Sequence, residues 1–142
     1  YSGKGRRLVD KRVRAGARYW YQVKLFDRAG NVSSRTLAVR PAVGILMPAP
    51  GAVLRGAPLV RWAPVRKARF YNLQLWRGKQ KLLTIWPNEP LLRLEDTWRF
   101  GGKRQRLTNG AYRVYVWPAF GTLAQPRYGA RVGQVKFVVR RR

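Results

Sequence analysis

Acid–base or metal chemistry in this chain would have to start from five carboxylates: Asp10, Asp27, Glu89, Glu95 and Asp96. The sequence contains no His and no Cys. That removes the imidazole base, the thiolate nucleophile, the disulfide framework and the soft metal ligand together. A glycosidase needs two carboxyls converging on one bond. Glu95 and Asp96 are adjacent, so on a strand they point to opposite faces. Asp10 and Asp27 fall at turns or strand ends. Calcium needs clustered oxygen ligands, which scattered carboxylates do not provide. Each carboxylate therefore reads as a partner for one of the many arginines. The expectation is a non-catalytic protein with no metal and no cofactor. Gly101-Gly102-Lys103 lacks the full Gly-x-x-x-x-Gly-Lys-Ser/Thr frame of a phosphate loop, and no helical pattern follows it. It reads as a basic turn.

Two binding chemistries remain. The first is charge. Lys and Arg number 31 against 5 Asp and Glu, a net charge of +26. Such a surface contacts polyanions through counterion release and attracts anionic surfaces at low salt. The basic residues are spread along the chain, often at alternate strand positions, with Arg140-Arg141-Arg142 the one compact run. A solvated sheet face requires that spread. The second chemistry is aromatic. If Tyr71, Leu73 and Leu75 face inward, Trp76 faces outward, and the same alternation turns Trp20, Tyr115 and Trp117 outward. Trp117 opens a long connection, Pro118 to Gly133, that carries Phe120 and Tyr128. Exposed aromatic faces stack on sugar rings or bases, and long loops on rigid scaffolds carry binding sites. The candidate contact set is Trp76, Tyr115, Trp117, Phe120 and Tyr128 with Arg113 and Arg127. The competing reading has these aromatics covered by the long connection or a neighbouring unit. Trp62, Trp86 and Trp98 are expected in the core or at its edge.

The elements that must position these residues are strands. Aromatic and β-branched residues fall in short alternating runs separated by Gly, Pro, Asn and Asp, without helical periodicity. In Ala17–Phe26, Tyr19, Tyr21, Val23 and Leu25 share a face suited to burial. Asp27-Arg28-Ala29-Gly30-Asn31 reads as a turn, and Thr36–Arg40 as the returning strand. Leu8–Val13 is a further strand candidate. Pro41–Gly56 is proline-rich and reads as an extended junction holding at most an edge strand. Strands follow at Leu59–Trp62, Phe70–Trp76, Lys81–Trp86, Leu91–Glu95, Ala111–Trp117 and Gln134–Arg140, with a hairpin turn at Arg77-Gly78-Lys79-Gln80. The fold class is all-β, an antiparallel β-sandwich. The stretch Val13 to Val23, with Gly16 and Tyr19, is echoed from Leu107 to Val116, with Gly110 and Tyr112. The interval is close to one sandwich of roughly 100 residues.

Residues 8–40 resemble the last three strands of a fibronectin type III domain. The likeness rests on Leu8-Val9-Asp10, on Val13-x-x-Gly16-x-x-Tyr19-x-Tyr21-x-Val23, and on Asp27-Arg28-Ala29-Gly30-Asn31-x-Ser33. Residues 45–140 are similar to a complete, more divergent fibronectin III or immunoglobulin-like copy. There Leu59-Val60-Arg61-Trp62 stands as the second strand with a core tryptophan, Ala68-x-x-Tyr71-x-Leu73-x-Leu75 as the third, and Gly110-Ala111-Tyr112-x-Val114-x-Val116 as the sixth. Trp98–Arg106 and Pro118–Gly133 depart from the compact pattern. The resemblance implies a partial unit over 1–41, a linker and first edge strand over 42–56, and a main body over 57–142. It also implies structural roles for Tyr19, Tyr112 and Trp62, each tyrosine hydroxyl bonding nearby backbone.

The resulting expectation is a non-catalytic β-sandwich module cut from a larger surface or secreted protein, working as a spacer or as an adhesion and ligand-presenting unit. Its partners would be neighbouring domains of the parent chain. The alternative is binding of an anionic polymer, either nucleic acid or an acidic cell-envelope glycan, through the basic surface. Membrane insertion is not expected, because the longest uncharged run, Pro41–Leu54, falls short of the roughly 20 apolar residues of a spanning helix. The resemblance places the protein outside the cell or at its surface.

Overall fold

The computed structural model describes residues 10, 13, 17–40 and 43–141. The chain divides into two compact units, Tyr1–Pro41 and Ala42–Arg142. All regular structure among the described residues is strand. The expected Leu8–Val13 strand, apart from Asp10 and Val13, lies outside the described residues, as do Gly16 and Arg142.

In the first unit, β1 (Tyr19–Phe26) and β2 (Val32–Val39) pair antiparallel in unbroken register, from Tyr19 opposite Val39 to Phe26 opposite Val32. Asp27 builds the turn. Its Oδ1 accepts from the Ala29 and Asn31 amides at 2.9 and 2.8 Å, and its Oδ2 accepts from Asn31 Nδ2 at 2.7 Å. This is an Asx-type turn, with Gly30 supplying the positive φ of 86°. Tyr19, Tyr21, Val23 and Leu25 share a face with Leu37 and Val39 across the ribbon. That face is not buried as the alternation led us to expect: Leu25 is 66% exposed and Val23 43%. Alternation fixes which side chains share a face, but among the described residues of this unit the two-stranded ribbon has no second layer to cover it.

The second unit is the β-sandwich. Its strands are β3 (Ile45–Met47), β4 (Val53–Leu54), β5 (Leu59–Trp62), β6 (Phe70–Arg77), β7 (Gln80–Ile85), β8 (Leu91–Arg93), β9 (Thr97–Phe100), β10 (Lys103–Arg106), β11 (Gly110–Gly121), β12 (Pro126–Tyr128) and β13 (Gly133–Val139). The smaller sheet runs β3-β5-β8. The larger runs β4-β13-β11-β6-β7, with β12 pairing the far end of β11, and β9-β10 form a separate hairpin. Pairing is antiparallel except between β13 and β4. Val60 and Trp62 from the smaller sheet meet Leu73, Leu75, Val114, Val116, Val135 and Phe137 from the larger in one core. Each such side chain gains roughly 1.5–3 kcal/mol on leaving water. In register, Val114 opposes Leu75 and Val116 opposes Leu73, so the inward rows stack directly.

The proline-rich segment does more than link. It gives β3 to one sheet and β4 to the other, and both lie at sheet edges, where missing donors are tolerated. Ile45 and Leu54 pack on the core, and the Gly51 amide donates to the Lys136 carbonyl at 2.8 Å. Residues 43–56 therefore belong to the sandwich itself. The two stretches that departed from the compact pattern are hairpins. Gly101 and Gly102, with φ of 58° and 74°, turn β9 into β10, which makes Gly101-Gly102-Lys103 a hairpin turn. In the long connection, β11 continues to Gly121 and returns as β12.

Candidate ligand-binding face

Tyr112 sets the register of β11, and with it the direction of every side chain that follows. Its hydroxyl accepts from the Thr108 amide at 3.0 Å and donates to the Thr108 carbonyl at 2.9 Å. Its ring stacks on Phe137 at 5.7 Å, and the Arg77 guanidinium lies 5.7 Å above the ring. Arg77 also donates to Thr108 Oγ1 and to the Asn109 carbonyl. With Tyr112, Val114 and Val116 fixed inward, Arg113, Tyr115 and Trp117 turn outward by strand alternation.

Cross-strand pairing then assembles rows on the outer face of the larger sheet. Lys136, Arg113, Trp76 and Lys81 form one row; Gln134, Tyr115, Gln74 and Thr84 the next; Trp117 stands beside Asn72 in the third. Tyr128 follows beside Ala119. Tyr115 and Trp117 stack at 5.8 Å with planes 24° apart, and Trp76 meets Tyr115 edge-on at 6.4 Å. Cations sit over the rings: Lys81 over Trp76 at 5.5 Å, Arg113 and Arg131 over Tyr115 at 5.8 and 5.4 Å. Arg113 also donates to the Tyr115 hydroxyl at 2.9 Å.

Beside the rings runs an amide relay. Trp76 Nε1 donates to Gln74 Oε1 at 3.1 Å, and Gln74 Nε2 donates to Asn72 Oδ1 at 3.0 Å. The relay engages only the Asn72 carbonyl, which leaves the Asn72 NH2 as its terminal donor. Trp86 Nε1 donates to the Tyr128 hydroxyl at 3.1 Å. A concavity of about 430 Å³ is lined by Gln74, Trp76, Gly78, Lys79, Tyr115 and Trp117. A second, of about 190 Å³, is lined by Asn72, Gln74, Trp117 and Tyr128. They share Gln74 and Trp117 and form one open groove along β6 and β11.

Of the candidate contact set, Trp76, Arg113, Tyr115, Trp117 and Tyr128 therefore converge on one face. Phe120 and Arg127 do not join them. They oppose each other one position past the Ala119–Tyr128 pair, so alternation turns them to the other side. There they line a separate hollow with Lys67, Arg69 and Gly121. Trp62 is buried in the core, edge-on to Tyr71 at 5.1 Å, and Trp98 donates to the Leu82 carbonyl at 2.7 Å at the core's edge. Trp86 departs from expectation at 45% exposure. It lies just past the end of β7, two residues on from Thr84 in the outer row, and its indole reaches Tyr128 instead of the core. The Tyr19 ring packs near Tyr21, 6.5 Å away. Asn72, Gln74, Lys79 and Trp86 were missing from the candidate set. The polar residues alternating with Leu73 and Leu75 were the signal for the first two.

Three of the carboxylates have partners of their own. Asp96 pairs with Arg141. Asp10 accepts from the Tyr21 hydroxyl at 3.1 Å; desolvation first, then this contact, raises the Tyr21 phenol's pKa. Asp27 serves its turn, and the Asn31 amide foremost holds its carboxyl below the usual carboxylate range. Among the described residues no three potential ligands gather to hold a metal ion. The groove's chemistry is stacking, hydrogen bonding and charge. Compared with known proteins, the chain matches no family model and no curated protein.

Proposed function

We propose that this chain is a non-catalytic β-sandwich module of a larger surface or secreted protein, and that it presents the outer face of its larger sheet to a ligand. The observation that carries the reading is the groove of Trp76, Tyr115 and Trp117, left half exposed beside a core that is already complete without them. Aromatic surface outside the core and ringed by polar groups is a common mark of a binding surface. A fibronectin III or immunoglobulin-like identity is supported by the Tyr112 hydroxyl bonding backbone upstream and by the buried tryptophan on β5. A strand arrangement of three against four, with β4 added at an edge, supports it too. A sandwich so built serves as a rigid platform, and binding by such a platform is argued from its site, not its fold.

The alternative, an anionic-polymer binder working through its whole basic surface, is favoured by the net charge of +26. The two readings differ in where contact falls. A screen against glycans and nucleic acids at about 0.15 M salt, run with Trp117→Ala and Trp76→Ala variants, tests them. Face presentation expects retained binding that either substitution removes. Binding untouched by both substitutions would transfer the function to diffuse charge, and no binding at all would leave a spacer.

A further inference from the structure

Resting on the face-presentation reading, we propose that the groove takes an acidic polysaccharide. A sugar ring lies against Trp117 in the notch with Asn72, Gln74 and Tyr128, and a carboxylate-bearing sugar lies toward Lys79 and Lys81. The groove is chemically polarised along β11. One end holds Lys136, Arg113, Lys81 and Lys79 around Trp76. The other holds side-chain amides and a phenol against Trp117. From Arg113 to Trp117 the strand advances about 13 Å, which leaves room for more than one sugar laid end to end.

The amide end matches hydroxyls. Asn and Gln offer a donor and an acceptor on one planar group, as a hydroxyl pair on a pyranose requires. The relay through Trp76, Gln74 and Asn72 fixes these amides before any ligand arrives, and preorganised polar groups lose less on binding. Trp117 has Tyr115 on one side and lines the notch on the other, where the apolar CH face of a sugar can rest. The cationic end supplies the selection for acid.

Nucleic acid fits the same face less well. Successive bases need successive open rings, whereas between Trp76 and Trp117 the Tyr115 ring carries Trp117, Arg113 and Arg131 around it. A phosphodiester backbone also calls for cations along its length, and here the notch at Trp117 is lined by Asn72, Gln74 and Tyr128 without one.

The test is an NMR titration of the whole chain at about 0.15 M salt with four probes: oligogalacturonate, oligomannuronate, a carboxyl-reduced oligogalacturonate and oligo-dT. At least one uronate oligomer is expected to shift the Asn72, Gln74 and Trp117 signals. The carboxyl-reduced oligomer should bind about tenfold more weakly. Trp117→Ala should weaken both sugars by about tenfold. Lys79→Glu, an exposed turn substitution that spares the core, should erase the preference for acid, bringing the uronate oligomer down to the affinity of its carboxyl-reduced form or below. Groove shifts with oligo-dT alone, or with the neutral oligomer at equal or higher affinity, would overturn the acidic-glycan proposal while keeping the binding face. Groove signals unmoved by every probe would overturn the proposal, and a ligand found in the broader screen yet insensitive to Trp117→Ala would bring down the face reading with it.

Discussion

The phenol of Tyr112 satisfies both backbone polar groups of Thr108 while its ring is almost wholly buried. Removing the oxygen alone leaves a donor and an acceptor short of a partner in a half-buried corner, at a cost of about 1–3 kcal/mol. Tyr112→Phe should therefore lower the stability of the second unit by that amount in urea denaturation, with the slope unchanged. Groove binding of the folded variant should persist, because Tyr112 faces inward. A loss below about 0.5 kcal/mol, the ordinary range for a surface change, would mean that Phe137 and Arg77 hold the corner without the hydroxyl. This residue was legible in sequence, since a Gly followed closely by Tyr and alternating valines places a tyrosine at a strand start. Asn72 and Gln74 were half legible. Their alternation with Tyr71, Leu73 and Leu75 gave the face, while the relay that joins them to Trp76 depends on rotamers. Trp86 was not legible, because its partner Tyr128 comes from a hairpin far along the chain.

At the scale of elements, the β1–β2 hairpin depends on one carboxylate for its turn. The Asn31 side-chain amide, with backbone amides adding to it, stabilises the ionised Asp27 and lowers its pKa in the folded turn. A depressed folded value means the stabilisation is fully present above the unfolded pKa, about 3.9 for Asp. It is lost as pH falls through the lower folded value. NMR titration should place the Asp27 midpoint below that of a free aspartate, with the Ala29 and Asn31 amide signals moving along the same curve. In Asp27→Asn that curve should vanish. A midpoint at or above the ordinary value would remove the turn's electrostatic account. Here the sequence specified the turn, because Asp, Gly and Asn each have local reasons to occupy it, but the returning strand begins at Val32, ahead of the Thr36 start that the pattern suggested. It did not specify that Val23 and Leu25 stay exposed, since cover is a tertiary property that no alternation encodes. The Pro48–Gly51 crossing is a similar case. Prolines excluded a central strand, but only the two sheets flanking the crossing decide that its ends pair with β5 and with β13.

For the molecule as a whole, a charge of +26 carried by 31 cations and 5 acids means that most cations have no acid to face. Folding draws these charges together, so self-repulsion opposes the compact state. Salt relieves it: between about 0.01 and 0.1 M the screening length falls from about 30 to about 10 Å. The same screening weakens any polyanion held by Lys79, Lys81 and Arg113. Stability and acidic-ligand affinity should therefore respond to sodium chloride with opposite signs. Thermal unfolding of the second unit should rise by about 4 °C or more over that salt range, roughly the effect of 1 kcal/mol on a domain of this size. Uronate affinity should fall over the same range, and binding of the carboxyl-reduced oligomer should stay nearly level, because stacking on Trp117 involves no net charge. A melting temperature flat in salt would show that the cations are spaced widely enough to ignore one another. A neutral-sugar affinity that fell in step with the acidic one would assign the salt effect to the fold and not to the groove's cationic end.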